Sequence, residues 1–153
     1  MKLSDNFQIS EFTRNDKGLA NDAPSEVIPI LKEFCDRVLE PIRTRFGKVR
    51  ISSGFRGADL NKLIGGTADS YHCATSTRCA ADIQTPGTQL QEVFDWIRME
   101  SDIPFDKVIL ERGKTQSSET DDCIHIQYQK EPRRLAYSGA TQGQSAYTKV
   151  DVA

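Results

Sequence analysis

Only two histidines occur in the 153 residues, His72 and His125. His72 stands in SYHCATSTRCAADI (70–83), a stretch that also holds Cys73 and Cys79 and leads to Asp82. His125 stands in CIHIQ, three residues after Asp122. Imidazole nitrogen and carboxylate oxygen are ordinary zinc donors, and two histidines, one aspartate and a water make a four-coordinate site with an open position. His72, Asp82 and His125 are therefore the candidate ligands, with Asp122 a nearby carboxylate able to take a proton from that water. Arg56, in SGFR, is placed to neutralise a substrate carboxylate or a developing oxyanion. The plain alternative is that each of these residues is structural or solvated, since isolated histidines and aspartates usually are.

The four cysteines, Cys35, Cys73, Cys79 and Cys123, include no C-x-x-C pair, so neither a zinc-ribbon nor a thioredoxin-like reading applies. Three readings stay open for them. They are free buried thiols; or Cys73 and Cys79 are bridged, clipping the loop between them; or Cys73 or Cys123 joins a metal as thiolate. A bridge needs an oxidising compartment. The N-terminus MKLSDNFQIS lacks the apolar core of an export signal, which favours free thiols.

Local elements must position these groups. In NDAPSEVIPILKEFCDRVLEPIRTRFG the apolar residues Val27, Ile30, Leu31, Phe34, Val38, Leu39, Ile42 and Phe46 recur in helical steps. Pro41 should kink or break that helix, and Gly47 should end it. KVRISSGFR reads as a strand, ADLNKLIGG as a short helix, RCAADIQ as a strand reaching Asp82, and PGTQLQEVFDWIRMES as a helix faced by Leu90, Val93, Phe94 and Ile97. FDKVILE and CIHIQYQ read as strands joined by the polar loop KTQSSETDD. Alternation on the last strand puts Cys123, His125 and Gln127 opposite Ile124, Ile126 and Tyr128. Glu111, ending FDKVILE, approaches the site as a supporting carboxylate. Arg133 and Arg134 read as a solvated turn. The tail from about residue 131, rich in Gly, Ser and Gln, is expected to be mobile or to wrap the domain. Helices and strands mix without βαβ repeats, so the expected class is α+β with a small, mainly antiparallel sheet in a single domain over residues 1–153.

Composition sets outer bounds. Twenty basic and 22 acidic residues give a net charge of −2, which argues against a nucleic-acid partner. No apolar run approaches the roughly 20 residues of a membrane span. A monomer made in the cytoplasm is expected.

The ordered set FQISEFTRND, VLEPIRTRFGKVRISSGFRGADLNKLIGG, SYH…AADI, FDKVILE and CIHIQ resembles the zinc D-Ala-D-Ala carboxypeptidase and L-alanyl-D-glutamate endopeptidase family, and in particular its phage-encoded branch. The resemblance runs from about Leu3 to Gln129. It implies a hedgehog/DD-peptidase-like fold and a zinc-dependent peptidase acting on bacterial peptidoglycan, at lysis or from a virion. It further implies zinc on His72, Asp82 and His125, Asp122 as general base, Arg56 on the substrate or transition state, and Ser70 as a substrate contact. Two departures stand out. Nine residues separate His72 from Asp82 where the family has six, with the family glycine missing, and Cys123 stands where many relatives carry tryptophan. Two rivals follow: a catalytically impaired wall-binding or virion protein on the same fold, and a structural metal protein using the cysteines.

Overall fold

The structure is a computed structural model that describes residues 1–112, 122–140 and 147–153. Most of the KTQSSETDD loop and residues 141–146 lie outside the described residues. Five α-helices, α1 (Ile9–Thr13), α2 (Ile28–Phe34), α3 (Glu40–Phe46), α4 (Ala58–Leu63) and α5 (Leu90–Met99), accompany six strands. The strands are β1 (Arg50–Ser53), β2 (Arg78–Gln84), β3 (Lys107–Arg112), β4 (Cys123–Gln129), β5 (Leu135–Ala140) and β6 (Tyr147–Val150). They form one sheet in the order β1-β2-β4-β3-β5-β6, in which only the β3–β5 pair is parallel. The class is α+β, with a mainly antiparallel sheet. No helix among the described residues is long and apolar enough to cross a membrane.

The sheet has two unlike faces because side chains alternate along each strand. One face carries Ala81, Ile83, Val108, Leu110, Ile124, Ile126, Tyr128 and Ala136, all fully buried. These pack with the long helical segment and α5 through Leu31, Phe34, Leu39, Val93, Phe94 and Ile97. The other face carries Arg78, Ala80 and Asp82 on β2, His125 and Gln127 on β4, and Lys107, Ile109 and Glu111 on β3, by the register Asp82↔His125↔Ile109 and Ala80↔Gln127↔Lys107. The polar residues of the strands are thus gathered on one side of the sheet.

The helical segment is neither broken nor sharply ended at Pro41. Residues 25–27 form a 3₁₀ turn, α2 follows, and Cys35–Leu39 form a π turn that runs into α3 with Pro41 in its first turn. The wider turn explains the continuity: the ring of Pro41 would clash with the carbonyl four residues back in a regular helix, and a π turn opens that space. Gly47 ends α3 at φ +87° as expected. The opening SEFT forms α1, whose buried Phe12 meets Phe34 edge-on at 6.3 Å between ring centres.

Two expectations are corrected. The tail supplies β5 and β6, which extend the sheet beyond β3; its Gly, Ser and Gln content hid Ala136, which lies in the core, and Val150 and Val152, which pack against it. Arg133 and Arg134 are anchors and not a solvated turn. Arg133 donates Nε and Nη2 to the two oxygens of Asp106, at 2.9 Å each. Arg134 lies over Phe105 at 4.5 Å and donates to the carbonyl of Ile103 at 2.6 Å.

Asp106 is fully buried and also accepts from the side chains of Gln127 (3.4 Å) and Gln129 (2.6 Å). Burial opposes its charge, but the hydrogen bonds and charge of Arg133 win and hold its carboxyl below the usual range. A depressed carboxylate stabilises the fold above the unfolded-state pKa, and the contribution is lost as pH falls through the folded-state value. Asp106→Ala strands five donors, the Arg133 backbone N–H among them, so a loss of about 2–4 kcal/mol is expected in denaturant unfolding at pH 7. The gap between the two proteins should narrow below about pH 4, where the Asp106 contribution to the parent is fading.

Candidate metal centre

Asp82 and His125 sit directly opposite each other on β2 and β4, a placement that brings side chains into contact. His72 reaches them from the turn that follows α4. Candidate ligand atoms of His72, Asp82 and His125 all lie within 4.8 Å of one another. The two imidazoles are 5.1 Å apart, centre to centre.

Each histidine is oriented by a second partner. The Nδ1–H of His72 donates to the carbonyl of Gly54 at 2.8 Å, leaving Nε2 toward Asp82 Oδ1 at 3.3 Å. His125 presents Nδ1 to the same oxygen at 2.8 Å and donates Nε2–H to Oε1 of Gln127 at 3.1 Å. The Gln127 amide is itself set by its donation to Asp106. A chain from Arg133 through Asp106 and Gln127 therefore fixes which nitrogen of His125 faces the cluster, the arrangement that orients metal-ligating histidines generally.

Electrostatics match a cation site. Burial lowers the His72 pKa, only partly offset by Asp82, which favours the neutral, ligating form. Burial also works against charge on His125, but the hydrogen bond and charge of Asp82 outweigh it and raise its pKa. Asp82 is held down by both histidines despite its burial. Both nitrogens of His125 face oxygens, so the ring needs two protons to satisfy them. A divalent cation would replace the one shared with Asp82. The residues present fit a zinc site of two nitrogens and one oxygen.

Arg56 comes to the cluster from the turn after β1. Its guanidinium lies 3.7 Å from Asp82 Oδ2, its Nε donates to Ser53 at 3.1 Å, and its backbone N–H donates to the His72 carbonyl at 2.9 Å. Ser70 accepts from the His72 backbone N–H at 3.3 Å and lines the groove beside His125. The LNKLIGG segment ends α4 and starts the turn to Ser70. Gly65 takes φ +77°, and a Cβ on Gly66 would meet Oδ1 of Asn61 at 2.0 Å, so both glycines are required there.

The long His72–Asp82 connection leaves these positions undisturbed. Its extra residues form a turn closed by Thr75 N–H to the Arg78 carbonyl at 3.0 Å, and β2 begins at Arg78, four residues before Asp82. All four cysteines are free. Cys79 faces the helices, and neither it nor Cys73 or Cys123 joins the cluster. Burial raises the Cys123 thiol, which donates to Glu111 at 3.7 Å.

Asp122 and Glu111 line different grooves, and Glu111 approaches the site as expected. Asp122 pairs with Arg112 at 3.3 Å and lines a separate groove with Gln84, Thr88 and Gln91. Asp122 immediately precedes β4, at the margin of the sheet and in a groove with residues at the start of α5. Glu111, paired with Cys123 in register, has the parity of His125 and lines its groove. Tyr147 of β6 donates to it at 3.1 Å. Burial and the nearby Asp82 raise its pKa, while His125 opposes that rise. The signal for Glu111 was a polar residue on the polar face of FDKVILE; its pairing with β4 was not legible.

The chain matches the family model described as Peptidase M15 over residues 5–126. It belongs to the peptidase M15 family. No curated protein matches it. The matched span contains all of β1 to β3, His72, Asp82, Glu111 and His125, so the clustered residues of this M15 chain lie inside the family region.

Proposed function

We propose that the protein is a zinc peptidase that hydrolyses peptide bonds in the stem peptides or crosslinks of bacterial peptidoglycan. The observation that carries the reading is the His72–Asp82–His125 cluster, whose His125 lines an open groove of about 580 Å³. His72, Asp82 and His125 would hold the zinc. Bound there, it supplies Lewis acidity, polarising a carbonyl oxygen and lowering the pKa of a water.

The other steps belong to the chain. Glu111 takes the proton of the attacking water and returns it to the leaving amine, because it is the carboxylate that shares a face and a groove with His125. Asp122, three residues before His125, is the alternative base, and its pairing with Arg112 in another groove favours a supporting role. Arg56 holds Asp82 and lends positive charge to the site. Ser70 shapes the His72 turn and offers a hydroxyl to the substrate. A phage source, with the protein acting at lysis or from the virion, fits this substrate and rests on the motif resemblance. The test is digestion of purified peptidoglycan by zinc-supplied protein, with new amino and carboxyl termini counted by mass spectrometry. Zinc-dependent release of stem-peptide fragments is expected. Binding to the wall without any release would replace this reading with that of a wall-binding protein.

A further inference from the structure

The two strands beyond the family region complete the groove. The family match ends at residue 126, and β5 and β6 follow it. Ala136 is buried on the helix face, and Val150, its partner in register, packs against the core. Alternation therefore puts Tyr137 and Gly139 of β5 and Tyr147 of β6 on the face of His125. Both tyrosines line the groove with His125 and Glu111.

One row on that face reads Cys123, Glu111, Gly139 and Tyr147 across β4, β3, β5 and β6. Neighbouring strands are roughly 4.8 Å apart, so Glu111 and Tyr147 stand two strand spacings apart, with Gly139 in the row between them. Glycine has no side chain, which gives Tyr147 an open path across β5. Its hydroxyl donates to Oε1 of Glu111 at 3.1 Å, and the Cys123 thiol donates to Oε2 at 3.7 Å. Each oxygen of the carboxylate is thus held by a neutral donor, one from either neighbour in the row. A carboxylate oxygen has two acceptor sites, so each keeps one for the groove. The chain after β6 is tied to α5. Arg98 donates Nη1 to the Asp151 carbonyl at 2.8 Å, and the Ala153 N–H donates to the Arg98 carbonyl at 3.0 Å. β6 is therefore fixed on one side by β5 and at its end by α5.

We propose that Tyr147 is a positioning residue: by holding Glu111 across the gap at Gly139, it sets the direction in which the carboxylate meets the attacking water. This rests on the peptidase reading, in which Glu111 moves the proton. A base must lie within hydrogen-bond reach of the proton it takes, and a displacement of about 1 Å can cost up to roughly 10²-fold in rate.

The test measures kcat and KM of full-length, zinc-supplied protein on soluble crosslinked muropeptides. Tyr147→Phe is expected to lower kcat about tenfold with KM and zinc content unchanged, short of the roughly 10²–10⁴-fold of losing an acid–base group. Added to Glu111→Gln, it should cost nothing more, because a residue that acts only through Glu111 is coupled to it. Gly139→Val, which puts a branched side chain in the path, should match Tyr147→Phe, with thermal unfolding confirming the fold. Full kcat in Tyr147→Phe or in folded Gly139→Val, or an equal loss with and without Glu111→Gln, overturns the proposal. A second readout needs no turnover. In protein labelled with ¹³C at the glutamate carboxyls, the Glu111 resonance, identified by its loss in Glu111→Gln, should move in Tyr147→Phe. If it moves and the wild-type protein cleaves no muropeptide, the contact stands and the peptidase reading falls. If it stays, Tyr147 does not hold Glu111, and the proposal falls whatever the activity.

Discussion

His125→Ala protein should lose its zinc and its peptidoglycan hydrolysis together. Loss of a partner that merely orients a ligand lowers metal affinity roughly 10–100-fold, and removing one of three ligands exceeds that. Elemental mass spectrometry of protein dialysed against trace zinc should therefore fall from about one zinc per chain to near none. Stability separates this from misfolding. Zinc at about a thousandfold over its Kd adds about 4 kcal/mol to the folded state. For a chain of this size that raises Tm by roughly 8–16 °C, at roughly 2–4 °C per kcal/mol. The wild-type protein should show that rise and lose it in chelator, whereas His125→Ala should melt at one temperature with or without zinc. A variant that still binds one zinc and digests the wall would remove His125 from the site. Gln127→Ala provides a graded check, since it leaves all three ligands and frees only the nitrogen of His125 that faces away from Asp82. Its zinc affinity should fall within the roughly 10–100-fold range.

A comparison of Glu111→Gln with Asp122→Asn should identify the group that moves the proton. General acid–base catalysis contributes roughly 10²–10⁴-fold, so Glu111→Gln is expected to lower kcat by that much while keeping its zinc and its fold. Asp122→Asn breaks the pair with Arg112 at the sheet margin and is expected to lower kcat less than about tenfold, a small share of what an acid–base group contributes. The geometric reason is placement. Asp122 lies just before β4 and pairs with Arg112 in another groove, while Glu111 reaches the His125 face by pairing from β3. The opposite ranking, with Asp122→Asn the more damaged, would mean that the segment before β4 rearranges when substrate binds and would restore Asp122 as the base. The Tyr147 hydroxyl on Glu111 gives a further discriminator: Tyr147→Phe should shift the acidic limb of the kcat profile only if Glu111 is the titrating group.

Local physics made much of this protein readable in one dimension. Helical steps from Val27 to Phe46, alternation in RCAADIQ and CIHIQYQ, and the double glycine after α4 each depend on neighbours a few residues away, and each element formed where it was expected. The ordered motifs named His72, Asp82, His125 and Arg56 together, and all four meet in space. Pro41 was misjudged because only packing of both flanking turns could favour a π turn over a break. The strands of the tail were not legible because β5 gains its order from hydrogen bonds to β3, a partner far away in sequence, and β6 from pairing with β5. The same holds for the site. Sequence spacing along one strand pointed to Asp122, and the cross-strand register, which no single segment encodes, brought Glu111 and Lys107 to either side of His125. Amino-acid order alone thus picked out the residues of the cluster and the elements that carry them. Tertiary pairing decided which carboxylate and which cation face the groove, because the side of a sheet a residue occupies matters only once its neighbouring strands are in place.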